Sequence, residues 1–341
     1  MKQNNGDRNQ YRAEHHSRGM MRQLTVAAGW LLCAAAFVAG GLTVLGISGK
    51  YNLKQQTMSY AAGTGKPVRT ITATTDTEEE PKKGQNIYPN REYRYNEDIL
   101  TFLFMGIDRE DGAKADEGYA GGGRADALFL FVLNPHEETM SLIPINRSTM
   151  TEVDVYDGQG NYENTVTAQV CVQYGFGDGG RESCEYQIKA VRNLFYGIPI
   201  HGYLAVDLGV VPAVTEMIDG VDLSLFKDIQ NGDQSEDRQR QLAAALIGEV
   251  RRMTGKDLTV PIKIYNKVSD KAVTDITVDE VTYLTAKAGG YHFDERQVFT
   301  VPGTSIDGEG SGDDVLDEFY VDETAFYKLI LDVFYEPADE E

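Results

Sequence analysis

Three apolar runs stand close together in the chain: ILTFLFMG at 99–106, ALFLFVL at 127–133 and TMSLIPI at 139–145. The second is apolar at every position, which predicts a central strand covered on both faces. NPHEE, between the second and third runs, is short enough for a hairpin, so these two strands are predicted antiparallel neighbours. Helical spacing follows. YQIKAVRNLFYG places Ile188, Val191, Leu194 and Phe195 on one side and stops at Gly197 and Pro199. VVPAVTEMIDG at 210–220 and residues 236–253, with Leu242, Leu246 and Val250, predict further helices, as do 279–288 and 322–334. Strands interleaved with helices predict a layered α/β domain in which helices pack on a sheet.

A different pattern governs the N-terminal part. Residues 24–47 carry no charge, and as a helix they would span about 36 Å, enough for a bilayer core. A transmembrane helix is expected there; a cleavable signal peptide would have a shorter apolar core of roughly 7–15 residues. Residues 1–23 hold five Lys or Arg against Asp7 and Glu14, so the tail is expected in the cytoplasm and everything beyond the helix outside. The expected location is therefore the cell membrane, single-pass, with an extracellular C-terminal domain. Residues 48–97 are polar and poor in large apolar side chains, as in a flexible linker. The domain is expected over 98–335, with an acidic C-terminal tail at 336–341.

The formal net charge of −21 argues against a nucleic-acid partner, which needs clustered Lys and Arg to neutralise phosphates. It suits solubility or a site that holds a cation. Cys171 and Cys184 fall in the exported part, where a disulfide and two free buried thiols are both open readings. Cys33 lies in the expected membrane helix.

Charges gather where the strands begin and end. Arg124 and Asp126 open the second strand, Arg147 follows the third, and an antiparallel first strand would bring Asp108 to the same rim. Two carboxylates can hold Mg²⁺, which takes phosphate oxygens and water as its other ligands. Two arginines can grip phosphates through paired hydrogen bonds. Ordinary ion pairs at strand ends are the alternative. Gly121, Gly122 and Gly123 match no nucleotide-binding fingerprint.

At these residues the chain resembles the LytR-CpsA-Psr family, also called the cell envelope-related transcriptional attenuator domain. The resemblance rests on FLFMGIDR, GRADALFLFVLNP and IPINRSTM, and continues through AVRNLFYGIPIHGYLAVDL, IDGVDL and DRQRQLAAALI. It implies an α/β/α sandwich around a mixed central sheet, tethered by one N-terminal transmembrane helix and a stalk. It implies a phosphotransferase that moves a glycopolymer from an undecaprenyl or other polyprenyl pyrophosphate carrier to peptidoglycan. Carried onto this chain, Asp108 and Asp126 would hold Mg²⁺, with Mn²⁺ as the alternative ion. Arg124 and Arg147 would bind the pyrophosphate and stabilise charge on the phosphoryl oxygens. Arg240 and Gln241, which match the family's Arg-Gln pair, would add substrate contacts.

The chain departs from the family pattern in two places. Ser148 stands where an Asp usually follows the arginine, and serine there can simply cap the turn. The segment 221–237, VDLSLFKDIQNGDQSED, is short, and Asp237 occupies the place of a family arginine. Arg238 lines up with Leu242, Leu246 and Val250, so either it reaches the site or its stem covers apolar surface. These departures keep a second reading open, a paralogue that binds polyprenyl phosphates or envelope partners without turnover. DGEGSGDD at 307–314 lacks EF-hand spacing and reads as a solvated loop. His201 and His292 have no recognisable nucleophile partner.

Overall fold

The computed structural model describes residues 53, 70–73, 91–108, 123–207, 252, 272–277, 280, 293, 295–306 and 318–338. The expected membrane helix, His292, the 307–314 loop and the helices expected at 210–220 and 236–253 lie outside these residues, Arg252 excepted. Among the described residues no helix is long and apolar enough to cross a membrane.

The centre is a mixed five-stranded sheet. Its strands are β3 (Leu100–Asp108), β4 (Arg124–Asn134), β5 (Thr139–Ile145), β8 (Gly202–Asp207) and β9 (Ala272–Thr274), in the order β5-β4-β3-β8-β9. β4 runs antiparallel to both β3 and β5, while β8 lies parallel to β3. The hairpin and the interior position expected for 127–133 are both present, with β3 as the middle strand. Asn134 explains the NPHEE turn: its Oδ1 accepts from the N–H groups of His136 and Glu137.

Alternation along the strands divides the core in two. Leu103, Met105, Leu128, Leu130, Ile143 and Ala205 line one face and pack with α1 (Arg181–Leu194) and α2 (Glu323–Phe334) through Ile188, Val191, Phe326 and Ile330. Phe102, Phe104, Phe129, Phe131, Leu142 and Leu204 occupy the opposite face and are buried as well. The sheet is thus covered on both sides, as the unbroken apolar run of β4 requires.

Further elements frame it. β6 (Met150–Tyr156) and β7 (Tyr162–Gln169) form an antiparallel ribbon, followed by a 3-10 helix at Val170–Phe176. Gln187 ties α1 to that turn, accepting from Tyr174 N–H and donating to the Val170 carbonyl. Gln173 ties it to β6 by the same exchange with the backbone of Asp154. β10 (Gly303–Ile306) pairs with β11 (Glu318–Val321). Thr277 and Glu280 form a reciprocal capping box, and Glu280 is helical; the rest of the helix expected at 279–288 lies outside the described residues.

Ordered structure enters the stretch expected as linker. β1 (Thr70–Ala73) and β2 (Arg91–Tyr95) pair with each other, and β2 also pairs with β12 (Tyr335–Pro337). Tyr93 and Tyr95 alternate inward and are buried, and Tyr95 meets Tyr335 edge-on at 5.6 Å between ring centroids. The domain therefore takes in residues ahead of 98, and Glu336 and Pro337 belong to a strand. The low density of aliphatic side chains hid this, because tyrosines supply the buried surface.

Candidate functional site

The rim predicted from the hairpin exists in the register of the sheet. Asp108 is the cross-strand partner of Arg124. The ladder shifts between Gly106 and Ile107, which pair with Ala127 and Ala125, so Asp126 is left over as the extra residue of a bulge. A bulge re-aims the side chain it carries. Ala125 and Ala127 stay buried while Asp126 and Arg124 reach the surface to different extents. Gly123, with φ at 85°, turns the chain into the strand in a conformation that favours glycine.

Arg147 completes the arrangement. Its Nη1 donates to Asp126 Oδ1 at 2.8 Å, and the two side chains are 36% and 14% exposed. One partner oxygen is thus engaged, while Asp126 Oδ2 accepts no hydrogen bond from the described residues. Arg124 is exposed, with no ion pair among those residues. Three of the four predicted rim residues therefore have placed side chains in one neighbourhood, and Asp108 is placed by its main chain. Arg238, Arg240 and Gln241 lie outside the described residues.

The turn that presents Arg147 is held by Asn146. Asn146 Oδ1 accepts from Ser148 N–H at 2.9 Å, and its carbonyl accepts from Thr149 N–H at 3.0 Å and Thr149 Oγ1 at 2.6 Å. Among the described residues the Ser148 hydroxyl makes no capping bond to this turn; its N–H is the donor that Asn146 captures. Ser148 is itself buried, and its carbonyl accepts from Phe319 N–H at 2.9 Å, which joins β11 to the rim.

Cys171 lies under the same groups. Its N–H donates to the Arg147 carbonyl at 3.2 Å and its Sγ donates to Gln169 Oε1. Burial pushes the thiol up to about 11, the Asp126 carboxylate adds to that, and Arg147 and Arg124 oppose it. No pattern in the chain signals this proximity, since it depends on the fold of the β6–β7 ribbon. Cys171 and Cys184 are both buried and are not bridged to each other, which resolves the open question of a disulfide.

Asp207, at the end of β8, pairs in register beside Ile107 and so reaches the same end of the sheet. Pockets outside the carboxyl ends of parallel strands are common ligand sites. His201 stands apart: it is buried, its Nδ1 accepts from Thr101 N–H at 3.0 Å, and burial lowers it to about 4. This neutral imidazole ties the residue ahead of β8 to β3 through Thr101.

The rim's donor set suits Mg²⁺. Among the described residues no group of three or more His, Cys, Asp or Glu forms a metal cluster. Mg²⁺ ordinarily uses one or two carboxylates together with phosphate oxygens and water, and Asp126 Oδ2, which accepts no hydrogen bond from the described residues, is a ligand of that type.

A family model described as the LytR_cpsA_psr family matches residues 63–237. The polyisoprenyl-teichoic acid–peptidoglycan teichoic acid transferase TagU of Halalkalibacterium halodurans is 24% identical over 242 residues, covering 62% of this chain and 72% of that protein. TagV of Bacillus subtilis, which bears the same activity in its name, is 22% identical over 244 residues, covering 61% of this chain and 57% of that protein. The crystal structure of Bacillus subtilis TagV superposes with a TM-score of 0.47 at 20% identity, covering 69% of this chain and 95% of that one. The family match runs over more than half of the residues and contains the whole of the Asp108, Arg124, Asp126 and Arg147 rim, and the chain belongs to the LytR_cpsA_psr family.

Proposed function

We infer that the chain is a phosphotransferase that moves a glycopolymer from a polyprenyl-pyrophosphate carrier to peptidoglycan. The observation that carries this reading is the rim itself, where Arg147 is oriented by Asp126 and Arg124 faces solvent with no described partner. The names of the curated relatives, which are teichoic acid transferases, support the same substrate class. The apolar stretch 24–47 and its basic flank support anchoring in the cell membrane with the domain outside.

In this reaction an acceptor hydroxyl of peptidoglycan attacks the phosphorus that carries the glycopolymer. A new P–O bond forms, the bond to the bridging oxygen breaks, and polyprenyl phosphate leaves. The hydroxyl proton passes to water or a phosphate oxygen, since Ser148 offers no carboxylate to receive it. Arg147 keeps donors beyond Nη1 for phosphoryl oxygens, and its pairing with Asp126 limits how far it can swing. Arg124 supplies a second guanidinium from the neighbouring strand. Both stabilise negative charge as it spreads over the phosphoryl oxygens. Bound Mg²⁺, held by Asp126 and Asp108, would neutralise further charge on the pyrophosphate.

One observation favours a second reading, binding without turnover: position 148 is buried and neutral, so no carboxylate adjoins Arg147 there. The two separate in one experiment. The full chain is mixed with a polyprenyl-pyrophosphate-linked glycopolymer, peptidoglycan and Mg²⁺, and both binding and release of polyprenyl phosphate are followed. Release supports the transferase. Binding without release sinks it in favour of the second reading, and absence of binding sinks both.

A further inference from the structure

We propose that Asn146 is a positioning residue that sets the aim of Arg147. The proposal deepens the functional reading above, and it rests on that reading only for its consequence in catalysis.

Asn146 is exposed and lies one residue beyond the end of β5, where a polar side chain is ordinary. Its amide oxygen nevertheless turns back over Arg147 to accept from Ser148 N–H, and its carbonyl takes both donors of Thr149. These contacts make an Asx turn nested in a β-turn, with Arg147 as the first of the two central residues. The rest of the turn is also anchored. The Arg147 carbonyl is held by Cys171 N–H, the Ser148 carbonyl by Phe319 N–H and the Thr149 carbonyl by Val170 N–H. Two of these bonds come from consecutive residues of the 3-10 helix and one from β11, and all three hold residues 147–149, after the chain has left β5. Asn146 closes the turn on the β5 side.

The need for such closure comes from the arginine. Its side chain has several rotatable bonds, and its guanidinium reaches Asp126 through a single hydrogen bond of 2.8 Å. A small rotation of the Arg147 main chain is magnified along that side chain. Misplacement of a catalytic group by about 1 Å can cost on the order of 100-fold in rate. Asn146 touches no reacting atom in this account; it acts through Arg147.

The test is a coupling measurement on the full chain. The stabilities of Asp126→Ala, Arg147→Ala and their double variant give the Asp126–Arg147 coupling, and the same cycle is repeated with Asn146→Ala present. The coupling is expected with Asn146 and lost with Asn146→Ala. Asn146→Asp retains an acceptor oxygen and should keep it. If Asn146→Ala does not fold, Asn146→Gly takes its place, since glycine accepts turn conformations without supplying the oxygen. Coupling that survives in the substituted background overturns the proposal.

A second readout uses inorganic pyrophosphate with Mg²⁺. Asn146→Ala and Arg147→Ala should each weaken its binding roughly tenfold or more, and the double variant no further than Arg147→Ala alone. Fully additive losses overturn the proposal. If the unsubstituted chain does not bind pyrophosphate, the functional reading fails, while the coupling cycle still decides the role of Asn146.

Discussion

Arg147 Nη1 and Asp126 Oδ1 meet at 2.8 Å across the edge of two adjacent strands, and Arg124, two residues before Asp126, has no described partner. The two arginines should therefore separate in their effects. Arg124→Ala is expected to weaken pyrophosphate binding by about 1.5–3 kcal/mol, the range for hydrogen bonds to charged groups. Its effect on stability should stay within about 0.5 kcal/mol, as for an exposed side chain without contacts. Arg147→Ala should lower both, because it strands a half-buried carboxylate. Calorimetric titration with Mg²⁺ and pyrophosphate, set beside denaturant unfolding, checks this; unchanged binding in Arg124→Ala would remove Arg124 from the site.

His201 predicts an acid sensitivity. Its imidazole is held neutral, with a folded value lowered from 6.5 to about 4 by burial, which the Thr101 N–H contact does not offset. Between these values the unfolded chain binds more protons than the folded one, so this contribution is intact above about 6.5 and shrinks as pH falls toward 4. The full effect is about 3 kcal/mol. Asp275, raised to about 6 by desolvation, works in the opposite direction but is common to wild type and variant. Unfolding of the wild type and of His201→Asn should thus differ by a constant amount above pH 7 and diverge below 6.5 in favour of the variant. Parallel curves down to pH 4 would refute the assignment.

The buried thiols give a prediction free of any functional assumption. With Cys171 raised to about 11, roughly one molecule in a thousand carries a thiolate at pH 8. Neither Cys171 nor Cys184 should be alkylated in the folded chain, and both should react after unfolding without reductant. A requirement for reductant would mean that they are bridged.

What the sequence disclosed and what it withheld follow from range. The strands at 127–133 and 139–145 were readable because burial on both faces demands unbroken apolar runs, and the hairpin between them then brought Arg124, Asp126 and Arg147 together by geometry alone. The meeting of Asp108 with Arg124 follows from an antiparallel β3. The bulge at Asp126 was not readable, because an extra residue leaves no mark in an apolar pattern. β2 was missed because its inward residues are Tyr93 and Tyr95 and its partner, β12, lies at the other end of the domain. Cys171 reaches the rim only through the β6–β7 ribbon, whose exposed second strand carries almost no hydrophobic signal. Asn146 was legible in principle, since Asn at a strand end beside a turn is an Asx-turn signal.

The N-terminus of α2 should behave as an independent stability element. Asp322 is its N-cap, with the side chain accepting from Ala325 N–H at 3.0 Å. Asp322→Ala should cost about 1 kcal/mol and Asp322→Asn much less, because asparagine caps nearly as well. Since the Asp322 cap bonds to Ala325 within α2 and not to the rim, pyrophosphate affinity should be the same in both variants when measured well below the unfolding midpoint.

Gly303 offers the contrasting case, in which a packing error is transmitted to the site. A Cβ at this position would lie 2.4 Å from the Tyr320 carbonyl oxygen and 2.5 Å from Phe319 Cζ. The aromatic ring can turn, but the carbonyl belongs to the paired strand and cannot yield without moving β11. Overpacking of this kind costs about 1–3 kcal/mol. β11 is also the strand whose Phe319 N–H holds the Ser148 carbonyl, the residue after Arg147. Gly303→Ala is therefore expected to lower stability by that amount and, unlike Asp322→Ala, to weaken pyrophosphate binding under conditions where the chain is still folded. Loss of stability with unchanged binding would mean that the Arg147 turn does not depend on β11, and that its aim is set from the β5 side and Cys171 alone.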